Sequence, residues 1–288
     1  MKRPVVKKRE LVAFQGERGA FSEEAARKLL GNGIEVLGCQ RFEDVFRSLV
    51  EKRVQAAVIP IENTLHGSVH ENYDHLLHFN LPIVAETSIR IVHHLMVPPG
   101  VSFSQLRRVY SHPVALNQCL NFFAQHPHIE RVPFYDTAGS AKMVMAERPE
   151  GAGAIASAVA AETYGARILR RSIEDDRQNF TRFFLLRNPG FAKRHPQVAS
   201  RKTQWKTSLV FSVRNAPGAL FRSMGAFALR DLDMAKIESR PMRGKPWEYM
   251  FYLDFIGRAD APVSRNALAN LGEVADFLRV LGCYPRGD

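Results

Sequence analysis

The sequence predicts an α/β protein with two domains, and three observations support that prediction. Apolar runs of strand length alternate with amphipathic helical repeats over residues 11–61. The run 56–61 is almost entirely apolar, which is typical of a central parallel strand covered by helices on both faces. After residue 206 the predicted elements follow the order strand, helix, strand, strand, helix, strand. A chain of 288 residues is long enough to bury a core in each domain.

The first domain opens with a strand at 11–14 that ends in a glycine turn, before a helix that we expect Ser22 to cap. Gly31 and Gly33 end this helix. The unit then repeats as strand 34–37, helix 42–50 and strand 56–61. Open sheets of this kind bind ligands beyond the carboxyl ends of their strands. The residues that follow strand 56–61 are therefore the first candidates for a site.

Polar residues follow that buried strand directly, from Glu62 to Ser68. A turn at Gly67 and an N-cap by Ser68 on the next helix would account for these two residues without a ligand. Glu62 and Asn63 are harder to explain as turn residues. We therefore take them as candidates for the site.

A second α/β unit follows a long apolar segment at 83–97. Its first strand, 109–113, opens a helix at Pro113, and Gln118 falls on the first turns of that helix, near Ser111. The elements that follow are strand 131–135, the segment 136–140, helix 141–147, strand 152–156 and helix 158–164. Helix N-termini with small hydroxyl residues bind anions through backbone N–H groups, although capping alone accounts for each one singly.

The strand at 180–186 carries two polar side chains, Thr181 and Arg182, within an apolar run. If the strand is buried, the Arg must pair with an anion and the Thr hydroxyl needs a hydrogen-bond partner, because both groups lose their hydration. The alternative is an edge strand whose Arg points to water. The residues of this strand alone leave both interpretations open.

Basic charge is concentrated outside the predicted domains. The ten N-terminal residues carry five Lys and Arg side chains against one Glu, and residues 187–206 carry six with no acidic residue. We interpret residues 1–10 as a basic tail and residues 190–206 as a linker. Nucleic-acid binding needs basic residues on one face of a domain. The net charge of +11 therefore does not indicate a nucleic-acid partner.

The sequence has three widely spaced cysteines, Cys39, Cys119 and Cys283, and no CxxC motif. This pattern indicates neither a disulfide framework nor a zinc site. No apolar stretch approaches the length of a transmembrane helix, so we expect no contact with a membrane. The basic N terminus precedes only a strand-length apolar run, which is too short for a secretion signal. These features predict a cytoplasmic protein.

The last domain, residues 207–288, contains two predicted helices and four predicted strands. They are strand 207–213, helix 217–229, strands 234–240 and 247–255, helix 266–278 and strand 281–284. This order is the ferredoxin-like β-α-β-β-α-β arrangement.

Several motifs, in order along the chain, resemble the prephenate dehydratase family, in which a catalytic domain precedes an ACT regulatory domain. The similarity extends from Leu11 to about Leu186 and is carried by residues 16–22, 61–64, 67–69, 111–113 with Gln118, 136–141 and 179–183. In the last domain, residues 217–221 and 238–241 resemble the two phenylalanine-binding motifs of ACT domains. The resemblance places the catalytic domain at 11–189 and the ACT domain at 207–288.

The resemblance implies a catalytic domain of two lobes, similar to type II periplasmic binding proteins, with the active site in the cleft between the lobes. It also implies a reaction without cofactor or metal. Prephenate loses its ring carboxylate as carbon dioxide and its ring hydroxyl as water, which gives phenylpyruvate for L-phenylalanine biosynthesis. Aromatisation drives the reaction, so the enzyme must orient a dianion and help hydroxide to leave. Protonation of the leaving hydroxyl by a placed acid is typically worth about 10²- to 10⁴-fold.

The catalytic threonine of the family corresponds to Thr181, which we expect to hydrogen-bond to the leaving hydroxyl or relay a proton to it. Arg182 is either a clamp for a substrate carboxylate or the partner of an acidic side chain. The resemblance implies that Asn63, Ser111 and Gln118 contact the substrate. It implies that Glu62 is a further polar residue of the site. Helix capping is the alternative for Ser111. The implied substrate-binding loops contain Thr64, Gly67, Ser68, Thr137, Ala138, Gly139 and Phe183.

For the last domain, the resemblance implies that L-phenylalanine binds between the ACT domains of a homodimer or homotetramer and favours a less active cleft. The implied contacts are Asn215, Pro217, Gly218, Ala219, Leu220, Glu238, Ser239, Arg240 and Pro241. A typical allosteric coupling of about 1–3 kcal/mol would change substrate affinity roughly 5- to 150-fold. The alternative role of Gly218 is that of an ordinary turn glycine.

The glycine turn departs from the family pattern, since many members have a proline before the second glycine and Thr in place of Ala20. This departure leaves the shape of the loop and the substrate preference open. The residues before Leu11 leave no room for the chorismate mutase helices of some relatives, so we expect a monofunctional enzyme.

Two other functions compete with prephenate dehydratase. Arogenate dehydratase performs the same elimination on a substrate with an amine in place of the keto group. A non-enzymatic amino-acid-binding sensor is the second alternative, because the lobes resemble binding proteins. Thr181 with Asn63 and Gln118 favours an enzyme.

Overall fold

The computed structural model describes residues 9–192, 203–242, 244–245 and 247–287, so most of the predicted tail and linker lies outside the described residues. Contacts divide these residues into two compact units. The first contains the residues up to Leu77 and Thr87–Leu185, and the second contains His78–Glu86 and the residues from Leu186 onward. The segment 78–86 thus belongs to the second unit, although it interrupts the first along the chain.

The strands and helices from the N terminus to the end of the first unit largely match the predicted ones. Helices 42–50 and 158–164 and strand 152–156 have the predicted bounds. In chain order the elements are β1 (Leu11–Gln15), α1 (Phe21–Leu30), β2 (Glu35–Cys39), α2 (Phe42–Val50), β3 (Ala56–Asn63), β4 (Gly67–Ser68), α3 (His70–Phe79), β5 (Ile83–Arg90), β6 (His94–Val97), a 3₁₀ turn (Phe103–Gln105), β7 (Arg108–Ser111), α4 (Pro113–Asn117), α5 (Leu120–Gln125), β8 (Glu130–Pro133), α6 (Thr137–Glu147), β9 (Ala152–Ala156), α7 (Ala158–Tyr164), β10 (Arg167–Arg170) and β11 (Phe180–Arg187).

The first unit contains two sheets, and each sheet defines a lobe. In the first lobe the strand order is β5, β11, β3, β1, β2, and β1 is parallel to both β2 and β3. In the second lobe the order is β10, β6, β9, β7, β8, where β7 is parallel to β8 and β9, and β6 is antiparallel to β9 and β10. The predicted two-lobed α/β fold is confirmed.

The chain crosses between the lobes at two adjacent segments, one after β5 and one before β11. Ile91 donates its backbone N–H to the carbonyl oxygen of Asn179 at 2.8 Å, and Ile173 donates to the carbonyl oxygen of His93 at 2.9 Å. The two crossing segments are therefore hydrogen-bonded to each other. Because β11 lies between β5 and β3, it is an interior strand. The edge-strand interpretation of residues 180–186 is wrong.

The predicted helix cap at Ser22 is wrong. Ala20 is the N-cap residue of α1, and Ser22 lies buried inside the first turn. The carboxylate of Glu23 accepts the backbone N–H of Gly19 at 2.8 Å, so a side chain within the helix satisfies the donor of the preceding turn. Ser68 is paired with Glu62 in the short strand β4.

The second unit has the ferredoxin-like arrangement predicted from the sequence. Its strand order is β13, β14, β12, β15, with antiparallel pairing throughout these four strands. Residues 275–278 are not helical as predicted, because Ala275 is already extended. The elements are α8 (Pro189–Ala192), β12 (Trp205–Ser212), α9 (Ala219–Ala228), β13 (Met234–Pro241), β14 (Tyr249–Ile256), α10 (Pro262–Val274) and β15 (Phe277–Pro285).

A buried ion pair lies within the second unit. Lys206 Nζ is 2.7 Å from Glu86 Oε1, and the two side chains are 10% and 2% exposed. The same carboxylate accepts the backbone N–H of Gly287 at 3.1 Å. A buried ion pair loses much hydration, so removing one partner leaves the other charge poorly compensated.

We expect Lys206→Met to lower the free energy of unfolding by about 3 kcal/mol, because the Glu86 carboxylate loses its cation in a dry site. The double variant Lys206→Met with Glu86→Gln should recover at least half of that loss, since both charges of the pair are removed. Urea unfolding of the full chain measures both effects. A double variant that is less stable than the single one would contradict this explanation.

Candidate active site

The side-chain amide of Asn63, at the end of β3, is held on both sides. Its Oδ1 accepts the backbone N–H groups of Leu65 and His66, each at 3.0 Å. Because only the oxygen of an amide can accept these bonds, Nδ2 must face the opposite way. Nδ2 lies 2.8 Å from Asn179 Oδ1 and 2.9 Å from Thr181 Oγ1. The backbone of the turn thus determines which end of the amide meets Thr181.

Local sequence determines the shape of the turn after Asn63. Gly67 has a φ of +75°, which side chains with a Cβ rarely adopt, and it pairs with Asn63 across the hairpin. Thr64 ties the turn to the start of β11. Its Oγ1 accepts the backbone N–H of Phe180 at 3.0 Å and donates to the carbonyl oxygen of Gln178 at 2.8 Å. Both loop residues therefore have roles in holding the turn.

Thr181 is placed to donate a hydrogen bond to a ligand. Its side chain is buried, and its oxygen accepts the hydrogen bond from Asn63. A hydroxyl that accepts from an amide still carries its own hydrogen. Among the residues that the structure describes, the Thr181 hydroxyl donates to no acceptor.

Gln118 reaches the same cluster from the second lobe. Its Oε1 lies 2.7 Å from His93 Nε2, and its Nε2 lies 3.2 Å from His66 Nδ1. The same nitrogen of His66 is 3.4 Å from Asn63 Oδ1. A chain of polar side chains therefore runs from Thr181 in the first lobe to Gln118 in the second, and it brings together three of the four residues implied to act on the substrate.

Ser111, the fourth implied residue, lies apart from this chain. Its side chain is fully buried, and its hydroxyl donates to the carbonyl oxygen of Ile155 at 2.7 Å, within the sheet of the second lobe. The capping alternative is wrong, because the ring of His112 accepts the backbone N–H of Val114 at the start of α4. Contact between Ser111 and substrate stays a prediction.

Arg182 has an acidic partner in the structure. Its Nη1 lies 3.9 Å from Glu62 Oε2, and its guanidinium lies 4.8 Å from the centre of the Phe184 ring. The side chain of Arg182 is 14% exposed. These contacts correspond to the structural alternative. Phe183 is in the core, 2% exposed.

Two helix N-termini of the second lobe are capped by side chains of the protein itself. Asp136 Oδ1 accepts the backbone N–H of Gly139 at 2.6 Å at the start of α6, beside Thr137 and Ala138. Ser157 Oγ accepts the backbone N–H of Ala160 at 3.0 Å at the start of α7. Capping therefore explains both positions.

The glycine turn after β1 makes a contact between the lobes that sequence reasoning missed. Glu17 pairs with Lys142 Nζ at 2.9 Å and accepts a hydrogen bond from the Tyr135 hydroxyl at 3.2 Å. Ser157 donates its hydroxyl to the carbonyl oxygen of Gly19 at 2.7 Å. A charged residue in a glycine turn is ordinary in a sequence, so nothing in the pattern indicated these partners, which lie more than one hundred residues away.

Comparison with known proteins identifies a family. The family model for prephenate dehydratase matches residues 12–190. A chloroplastic protein of Arabidopsis thaliana, arogenate dehydratase/prephenate dehydratase 2, is 44% identical over 283 residues, which cover 95% of this chain and 72% of that protein. Arogenate dehydratase 2 of Petunia hybrida is 41% identical over 288 residues, covering 95% of this chain and 71% of the relative.

Two solved structures resemble nearly the whole chain. A prephenate dehydratase from Arthrobacter aurescens in complex with L-Phe has a TM-score of 0.84 and 29% identity, covering 96% of this chain and 90% of that one. GqqA, described as a novel type of quorum quenching acylase, has a TM-score of 0.85 and 33% identity, covering 96% and 97%. The chain belongs to the prephenate dehydratase family of hydro-lyases, as the motifs predicted.

Over the residues that the structure describes, no helix is long and apolar enough to cross a membrane. In the same residues, no group of three His, Cys, Asp or Glu side chains could hold a metal ion.

Three histidines in and beside the second lobe have a lowered pKa. Burial is the main cause that lowers the pKa of His93, His94 and His112. The ring Nδ1 of His94 accepts the backbone N–H of Ser172 at 3.2 Å, which requires an unprotonated nitrogen. A histidine with a lower pKa in the folded state takes up protons on unfolding as the pH falls below its unfolded value, about 6.5. The stability that it contributes is therefore full above that pH and is lost below it.

We expect His94→Asn to weaken the dependence of the unfolding free energy on pH between about pH 7.5 and pH 5.5. Asn retains an acceptor but does not titrate, and each unit by which the pKa is lowered corresponds to about 1.4 kcal/mol. Urea unfolding at several pH values measures the slope. His128 is exposed, so His128→Asn is the matched control and should keep the wild-type slope. Equal slopes for all three proteins would contradict the assignment.

Proposed function

We propose that this member of the prephenate dehydratase family catalyses the decarboxylating dehydration of both prephenate and arogenate. The ring carboxylate leaves as carbon dioxide, the electron pair of its broken bond enters the ring, and the ring hydroxyl takes up a proton and leaves as water. Prephenate then gives phenylpyruvate, and arogenate gives phenylalanine. The plant relatives support a dual substrate range, because one carries both activities in its name and the other carries the arogenate activity.

The observation that carries the proposal is the hydrogen bond from Asn63 to Thr181. Because Thr181 Oγ1 accepts from Asn63 Nδ2 at 2.9 Å, its own hydrogen is directed to another acceptor. The departing hydroxyl of the substrate is such an acceptor, and its basicity rises as the carbon–oxygen bond breaks. A threonine hydroxyl is a weak acid, so it stabilises the leaving oxygen by hydrogen bonding or relays a proton to it.

The substrate range agrees with the donors of the cluster. Prephenate and arogenate share both carboxylates and the ring hydroxyl and differ only where a ketone replaces an ammonium. Gln118 turns its amide nitrogen, a donor, toward the cluster. A donor binds the oxygen atoms that the two substrates have in common, so the constellation does not by itself select one of them.

We expect Thr181→Val to lower kcat about 100-fold or more on either substrate while the fold is retained, because Val matches the shape of Thr but has no hydroxyl. Thr181→Ser keeps the hydroxyl and should stay within about tenfold of wild type. Phenylpyruvate and phenylalanine formed from prephenate and from arogenate are measured separately.

Each outcome of this assay has a defined meaning. Wild-type kcat in Thr181→Val would contradict the role of the hydroxyl. Turnover of one substrate alone would contradict the dual range. If the wild-type chain converts neither substrate, the dehydratase function is wrong and an amino-acid-binding sensor becomes the better interpretation.

Hydrolysis of an N-acyl bond is the second candidate, favoured by the 33% identity to GqqA. Such a reaction needs an activated nucleophile or water. Thr181 receives its hydrogen bond from an amide, Asn63, and an amide nitrogen does not act as a general base. Incubation of the wild-type chain and of Thr181→Val with an N-acylated amine tests for this hydrolysis. Hydrolysis that persists in Thr181→Val would assign the acylase reaction to other residues.

We also propose that the enzyme is a homodimer or homotetramer and that L-phenylalanine regulates it through the second unit. The relative from Arthrobacter aurescens is described in complex with L-Phe. In the second unit, Ser212 at the end of β12 is in register with Met250, which is in register with Arg240. The loop that contains Asn215 and Gly218 therefore lies at the same end of the sheet as residues 238–241. The oligomer and the cytoplasmic location stay predictions.

We expect Gly218→Ala to raise at least fivefold the concentration of L-phenylalanine that gives half of its effect on the rate and on the thermal midpoint. Gly218 has a φ of +76° at the N-cap of α9, a conformation that costs Ala roughly 1 kcal/mol. Gly225 lies inside the same helix with open space around it, so Gly225→Ala is the matched control. An unchanged rate and midpoint of the wild-type chain at saturating L-phenylalanine would contradict the regulation.

A further inference from the structure

We propose that His93 is a positioning residue that orients the side-chain amide of Gln118, so that the amide nitrogen faces the cluster containing Asn63 and Thr181. His93 Nε2 lies 2.7 Å from Gln118 Oε1, and both side chains are buried, 2% and 8% exposed. The amide nitrogen of Gln118 then faces His66. The inference deepens the proposed function, and its kinetic test rests on that function.

The structure identifies the tautomer of His93. An amide oxygen can only accept, so the nitrogen of His93 that faces it must carry a hydrogen. The other ring nitrogen, Nδ1, is buried and has no hydrogen-bond partner among the described residues. A proton on Nδ1 would be a buried donor without an acceptor, which is unfavourable by about 1–3 kcal/mol. His93 is therefore the neutral Nε2–H tautomer. Burial lowers the pKa of His93, which also favours the neutral ring.

Contacts to its backbone and to its ring hold His93 in place. The backbone N–H of His93 donates to Glu174 Oε2 at 3.0 Å, and Glu174 Oε1 accepts from Arg90 Nη2 at 2.8 Å. The ring of Phe21 packs edge-on against the imidazole, with centroids 5.9 Å apart. Burial is the main cause that lowers the pKa of His93, while the nearby carboxylate of Glu174 raises it and the neighbouring His94 lowers it. Since Glu174 pairs with Arg90, this chain of contacts anchors His93 at the segment where the two lobes connect.

The orientation of Gln118 matters because its two ends have opposite hydrogen-bonding properties. With Oε1 occupied by His93, the NH₂ group faces the cluster and can bind a carboxylate, ketone or hydroxyl oxygen. If His93 could not donate, rotation of the amide by half a turn would present an oxygen to those oxygen atoms. Like acceptors repel, so a fraction of the enzyme would bind substrate poorly.

The test is a double-mutant cycle between His93 and Gln118. His93→Leu should lower kcat/KM about tenfold, the typical loss for one buried hydrogen bond. In a Gln118→Leu background, His93→Leu should change kcat/KM less than about twofold, because no amide remains to orient. His93→Gln places an amide donor near the position of imidazole Nε2 and should return kcat/KM to within about threefold of wild type. His94→Leu removes a neighbouring buried imidazole without a link to Gln118 and should leave kcat/KM within about twofold.

The outcomes separate the inference from the proposed function. An equal loss from His93→Leu in both backgrounds, or no recovery in His93→Gln, would overturn the positioning role. Nitrogen-15 NMR of the imidazole provides a readout that needs no turnover: the wild-type ring should show a protonated Nε2 whose shift moves in Gln118→Leu. A charged ring, or an Nε2 unaffected by Gln118→Leu, would also overturn it. The expected NMR result in a chain that converts neither substrate would support the positioning bond and contradict the dehydratase function alone.

Discussion

The hydrogen bonding of one amide, that of Asn63, determines the arrangement of the candidate site. Its oxygen accepts two backbone N–H groups of the following turn, and its nitrogen donates to side chains at the start of β11. Because an amide has one acceptor end and one donor end, neither set of bonds can change without the other. The hairpin of β3 and β4 and the strand that carries Thr181 are consequently oriented by the same side chain.

The fold of both units could be predicted from the sequence because local patterns determine it. Apolar periodicity located β3, α2 and α7, and the order of elements after residue 206 identified the ferredoxin-like unit. The errors lie where two local interactions compete. Ser22 has the residue type of a cap, but Glu23 reaches back to Gly19, and the cap position moves to Ala20. Residue type alone does not show which of two neighbouring residues takes the cap position.

The candidate site could be predicted only in part. Motif resemblance located Asn63, Gln118 and Thr181, and the structure brings these three together. It did not locate His93, which lies in an apolar segment and is linked to Gln118 only through space. Two adjacent histidines in an otherwise apolar run were the one available indication. Long-range hydrogen bonds depend on how the lobes fold against each other, and no spacing in the sequence encodes them.

Two buried polar atoms of the first unit that lack a hydrogen-bond partner lie next to residues of the candidate site. Asn179 is fully buried, and its Nδ2 has no partner among the described residues, as is also the case for Nδ1 of His93. Each unsatisfied buried group costs about 1–3 kcal/mol. The oxygen of Asn179 accepts from Asn63, and Nε2 of His93 donates to Gln118. In both residues, one polar atom is left unpaired while the other orients an amide of the site. Stability is thereby given up at the two residues whose remaining hydrogen bonds set the directions of Asn63 and Gln118.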